Sequence, residues 1–136
     1  MVPRTLVLSL VATLVAAAAS AADAPIVTAD TLLTDAAFRS AYTTALGARA
    51  KERWLARLDM SSPLRTVRIG GEDWQVATPC KPHDCAENNL LLVFQPKRGV
   101  VHGVLHEKGR ETLVGAPAPA LVPELQRLWK KEFRQQ

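Results

Sequence analysis

Asn89-Leu90-Leu91-Leu92-Val93-Phe94-Gln95 is the stretch on which the fold of this 136-residue chain turns. Successive side chains of a strand point to opposite faces, so five consecutive apolar residues make both faces apolar. Such a strand needs cover on both sides and reads as the centre of a sheet. Upstream, Arg65 to Ile69, Gly70-Gly71 and Asp73 to Thr78 form a hairpin pattern, with Val67 and Ile69 on one strand and Trp74 and Val76 alternating on the next. Downstream, Pro96-Lys97-Arg98-Gly99 turns the chain into Val100 to His106, and Lys108-Gly109 turns it again into Glu111 to Val114. This predicts a five-stranded antiparallel meander.

The flanks carry helical spacing instead. Before the strands, Phe38, Ala41, Tyr42, Ala45 and Leu46 recur at intervals of three and four. Thr34 is placed to cap this helix, Asp35 to favour its positive end, Leu33 to staple onto Phe38 and Gly47 to stop it. A second helix is expected over Ala48 to Leu58, with Trp54, Leu55 and Leu58 inward and its charged residues solvated. After the strands, Pro117 and Pro119 precede a helix over Ala120 to Phe133, with Leu121, Leu125, Leu128, Trp129 and Phe133 on one face and Pro123 in its first turn. The expected fold is α+β, a five-stranded antiparallel meander with helices before and after it in α/β/α layers.

The chain length and 48% hydrophobic content suit one modest domain. Residues 1–22 read as a signal peptide: Arg4 is the positive start, Leu6 to Ala19 the apolar run, and Ala19-Ser20-Ala21 a small-residue cleavage site. Cleavage before Ala22 or Asp23 leaves 23–136 as a single domain, with Asp23 to Asp30 as a flexible lead-in. The expected location is the periplasm, with no membrane attachment after cleavage. A net charge of +4 and a pI of about 9.4 argue only against a strong preference for cationic partners. The basic residues between 49 and 57 lack interleaved exposed aromatics and read as a solvated helix face, so no nucleic-acid partner is expected.

Between the second and third strands lies Cys80-Lys81-Pro82-His83-Asp84-Cys85, which contains both cysteines of the chain. Export to an oxidising compartment makes a Cys80–Cys85 disulfide the expected state. So short a loop has no interior, and Pro79 and Pro82 stiffen it further, leaving a knuckle with His83 at its tip. Taken from the residues alone, His83 reads first as an exposed bystander on a pinned hairpin and only second as a functional group. A metal site from Cys80, His83 and Cys85 lacks a fourth ligand, so no metal or other cofactor is expected. The spacing is also wrong for a Cys-x-x-Cys redox centre, and a Cys nucleophile with His83 as base is geometrically awkward in one tight ring. His102 and His106 share a strand face and read as partly exposed surface rather than as ligands. Trp54, Trp74 and Trp129 read as core.

Cys80-Lys81-Pro82-His83-Asp84-Cys85, preceded by Trp74-Gln75-Val76 and followed by an apolar strand, resembles the periplasmic family called inhibitor of vertebrate lysozyme, over roughly residues 30 to 136. Leu125-Gln126-Arg127-Leu128-Trp129 is similar to family members too. The resemblance implies a protein that is not an enzyme and inhibits lysozyme, serving evasion of host defence. Its loop would enter the active-site cleft of a c-type lysozyme, where His83 meets the two catalytic carboxylates. An endogenous lytic transglycosylase is the alternative target, a non-inhibitory peptidoglycan-binding module the rival reading, and a homodimer a further expectation. Vertebrate-type lysozymes are themselves basic, so the positive balance of this chain slows their encounter with it, while Asp84 and Glu87 supply local negative charge.

Overall fold

The computed structural model describes residues 25–134. The expected signal peptide lies outside these residues. The elements run α1 (Ala29–Leu32), α2 (Ala36–Leu46), a 3-10 turn (Gly47–Lys51), α3 (Arg53–Arg57), β1 (Arg65–Ile69), β2 (Glu72–Ala77), β3 (Asn88–Gln95), β4 (Val100–Glu107), β5 (Arg110–Val114) and α4 (Val122–Phe133). All neighbouring strands pair antiparallel in sequence order, giving the five-stranded meander that the sequence predicts.

β3 is buried along its whole length, and its alternation builds two cores. Leu90, Leu92 and Phe94 face Phe38, Tyr42, Trp54 and Leu55 from the N-terminal helices. Leu91 and Val93 face the other way, joining Trp74, Val76 and Val104 with Leu125, Leu128 and Trp129 of α4. The sheet is therefore covered on both faces, and apolar burial on each side is the principal stabilising term. Trp54, Trp74 and Trp129 are all buried, as their spacing predicts.

The helix termini differ in detail from the sequence expectation. Asp35, not Thr34, caps α2: its Oδ1 accepts from the backbone N–H groups of Ala37 (2.8 Å) and Phe38 (3.1 Å), while the Thr34 hydroxyl donates to the Thr31 carbonyl. Gly47 ends α2 with φ 57°, a conformation that suits glycine. The expected helix over Ala48 to Leu58 divides instead. Glu52 is extended (φ −63°, ψ 134°), separating the 3-10 turn from α3, and Arg49 is held by ion pairs to both Glu52 and Glu107 of β4. Part of the expected lead-in is also ordered. Ala29 and Leu32 of α1 are buried, and the Ala29 N–H donates to Ser61 Oγ at 3.1 Å. α4 begins at Val122, two residues later than its spacing suggests, with Pro123 in the first turn.

Candidate functional site

The ten residues between Ala77 and Asn88 form the β2–β3 connection, and the knuckle stands on them. Its base extends the sheet: Cys80 pairs with Asn89 and Pro79 with Ser61 in isolated antiparallel bridges. Cys80 and Cys85 are joined by a disulfide, with Cα atoms 4.9 Å apart. Both sulfurs are thereby committed, so neither is a thiolate for metal binding or nucleophilic attack. Within the ring, the Asp84 N–H donates to the Lys81 carbonyl (3.0 Å), and the Lys81 N–H donates across the base to the Asn88 carbonyl (2.9 Å). Asp84 also accepts from the Asn88 side-chain amide at 2.7 Å. Its carboxylate thus holds the loop in shape.

His83 is exposed at the tip, at φ 66°. That is the left-handed region, which costs a non-glycine residue about 1 kcal/mol or more, though histidine visits it more readily than most. Among the described residues no side-chain hydrogen bond or ion pair involves His83; its neighbours make the bonds of the loop. Lys81 is exposed beside it, while Pro82 and Asp84 are half-buried.

Two buried residues beneath the knuckle have no counterpart in the sequence reading. Asn89 is fully buried, and its amide nitrogen donates to the Cys85 carbonyl (2.7 Å) while its Oδ1 accepts from the Trp129 indole N–H (2.7 Å). Asn88, also buried, is the partner of Asp84. The loop is thereby linked to α4 through one side chain whose donors and acceptor are all engaged, the condition under which a buried amide is stabilising rather than costly. The signal was two adjacent asparagines entering an apolar strand. Asp84 lies only four residues from Asn88, but the Trp129 indole that completes Asn89 lies forty residues away, beyond any local period.

The C-terminal arm of the loop has further contacts. Arg134 stacks over Trp129 at 4.6 Å, and its Nη2 donates to His106 Nε2 at 3.1 Å and lies 3.5 Å from the Ala86 carbonyl. An arginine can only donate, so Nε2 of His106 is the acceptor in this contact. On the other arm, the Met60 carbonyl accepts from the Cys80 N–H (2.9 Å), and Met60 Sδ lies 3.7 Å from Cys85 Sγ.

Of the two strand histidines, His106 corrects the surface reading and His102 remains partly exposed. His106 is buried against Trp129, with ring centroids 4.9 Å apart, and His102 is half-buried beside Trp74. Burial, with Arg98 nearby, holds the His102 imidazole below its ordinary value and favours its neutral form.

A family model described as inhibitor of vertebrate lysozyme (Ivy) matches residues 37–136. A protein of Pseudomonas aeruginosa named inhibitor of vertebrate lysozyme is 36% identical over 44 residues, which cover 32% of this chain and 29% of that protein. One of Escherichia coli with the same name is 31% identical over 51 residues, 38% of this chain and 32% of the relative. The matched stretch thus spans about a third of the length of these curated relatives. With the family model covering the whole sheet, the disulfide knuckle and α4, the chain belongs to the inhibitor of vertebrate lysozyme family.

Proposed function

We propose that this protein is a periplasmic inhibitor of lysozyme, without catalytic activity of its own, and that it acts by inserting the Cys80–Cys85 knuckle into the enzyme's active-site cleft. The observation that carries the reading is an exposed imidazole, held in a left-handed conformation at the apex of a disulfide ring, with no intramolecular hydrogen bond among the described residues. A retaining glycosidase places its two catalytic carboxyl groups only about 5 Å apart, one protonated as acid and one ionised. Imidazolium donates from both ring nitrogens and so can engage both groups at once.

The binding energy has a physical source other than contact area. A loop already fixed by a disulfide, two prolines and the Asn88 and Asn89 side chains loses little conformational entropy when it docks. The family membership and the names of the relatives support the same reading. The test is lysis of a bacterial wall suspension by a c-type lysozyme, titrated with the protein and with His83→Ala. Inhibition by the wild type, lost in His83→Ala at unchanged thermal stability, is the expected result. Equal inhibition by the two proteins defeats the proposal.

A further inference from the structure

Beside the knuckle the surface is concave. A groove of about 610 Å³ runs between α3 and Lys81-Pro82, with the buried Trp54 and Asn88 at its floor. It continues past Lys81 and Glu107 into a second hollow of about 420 Å³ toward the β4–β5 turn. Any protein that receives His83 in a cleft must rest one lip of that cleft here, because Lys81 and Pro82 belong to both the loop and the groove wall.

The charges of this groove are unevenly balanced. Its carboxylates are already engaged: Arg49 holds Glu52 and Glu107, and Arg57 holds Asp59 at 3.0 Å. Lys81, Arg53, Lys108 and Arg110 line the same two hollows and form no ion pair among the described residues. On the far side of the loop, Arg134 sits with Cys85 and Ala86, also outside any ion pair among the described residues. Against these five cations the loop itself offers Asp84, occupied by Asn88, and the exposed Glu87. The surface around the knuckle is therefore net positive, and what it repels is as informative as what it attracts.

We infer that the enzyme whose cleft takes this loop carries a carboxylate-rich rim, and that Lys81 and Arg53 are the specificity-determining residues that meet it. The inference rests on the proposed insertion of the loop and assigns the partner's charge. Lys81 and Arg53 are solvent-exposed, so they act chiefly on encounter and on choice of target, while His83 supplies the central contact.

The test compares association rates of the mature protein with two muramidases of lysozyme type, one acidic and one strongly basic. Wild type, the double variant Lys81→Glu/Arg53→Glu, and His83→Ala are each measured at low and at high salt. At low salt the double variant should associate with the acidic enzyme about ten-fold more slowly than wild type, and with the basic enzyme several-fold faster, both differences shrinking toward about two-fold at high salt. Rates that do not change, or that change in the same sense for both enzymes, overturn the inference. Circular dichroism checks that the double variant folds, and Lys108→Glu/Arg110→Glu gives the same signs should it not. Soluble anionic glycan from bacterial wall is the control: binding that the double variant loses, with enzyme association unaffected, gives the groove to a polymer and also overturns the inference. His83→Ala separates the two levels. Full inhibition by that variant removes the insertion itself, whereas its loss together with unresponsive rates in the double variant removes only the assignment of charge.

Discussion

The sheet contains two connections that solve the same problem in opposite ways. β1 and β2 are joined by Gly70-Gly71, at φ 59° and 79°, where glycine adopts the left-handed region without steric cost. β2 and β3 are joined by ten residues with two prolines, a disulfide and no glycine, and the left-handed position there is occupied by His83. The first connection is the economical one for an antiparallel pair. The second carries more covalent and polar restraint than reversal of the chain requires, and it keeps a side chain where the backbone would favour none. Strain of this kind persists where the surroundings over-determine it; Leu58, Lys108 and Ala116 share the left-handed region, so what distinguishes His83 is an exposed imidazole carried on a disulfide-closed loop.

The largest expected effect comes from converting the second connection toward the first. His83→Gly removes the imidazole and relieves the left-handed backbone together. Inhibition should weaken by about 100-fold or more, as for loss of a central interface residue. Stability should rise by about 1 kcal/mol, or roughly 4 °C in melting temperature for a domain of this size. Thermal melts beside the lysis assay read both. A variant that inhibits normally, or that melts lower than wild type, breaks the contrast between the two connections.

Next in size is removal of the covalent restraint. Cys80→Ala/Cys85→Ala should cost about 2 kcal/mol of stability, the entropy expected for so short a closed loop. Inhibition should weaken by about ten-fold, because the loop must then be ordered on binding. Hydrogen exchange locates the damage: faster exchange confined to residues 78–89, with the β1–β2 amides unchanged, is the expected pattern. Uniform loss of protection would show that the bond serves the whole fold instead of the knuckle.

Much of this fold is legible in the sequence because its signals are local. Leu90 to Phe94 show the unbroken apolar run of a doubly covered strand, Gly70-Gly71 and Lys108-Gly109 show their turns, and Leu125, Leu128 and Trp129 show the inward face of α4. The loop and its histidine were legible too, the exposure of His83 following from a ring too small to have an interior. What escaped depends on partners distant in the chain. Glu52 breaks the expected helix where Arg49 reaches Glu107, fifty-eight residues on. The His106 ring is buried because Trp129 and Arg134 come from α4. Asn89 reads locally as a polar residue entering an apolar strand, and only the fold supplies the indole that completes it.

That indole sharpens the comparison, since among the described residues no side-chain hydrogen bond ties Gly70-Gly71 to a helix. Trp129→Phe keeps an aromatic ring against His106 but leaves Asn89 Oδ1 buried without its donor, at a cost of about 1–2 kcal/mol. Asn89 also holds the Cys85 carbonyl, so the lost restraint reaches the knuckle. Chemical denaturation should register the loss of stability, and the inhibition constant should rise by about two- to five-fold. Inhibition unchanged at reduced stability would confine Trp129 to the core of the sheet.

The smallest effect tests the same backbone argument from the other side. At Gly71 an added Cβ meets nothing within 4 Å, so Gly71→Ala has no packing consequence and isolates the cost of a left-handed φ of 79°. That cost should be about 1 kcal/mol, seen as a shift in the denaturation midpoint without a change in slope. The turn lies outside the knuckle, and inhibition should stay at the wild-type level. Gly71→Ala and His83→Gly are thus reciprocal substitutions on one sheet, one adding a side chain at a left-handed position and the other removing it. If the strained histidine is retained for what it contacts in a partner, the first lowers stability and spares inhibition, while the second raises stability and abolishes inhibition. Stability shifts of the same sign in the two variants would remove backbone strain as the reason for singling out His83.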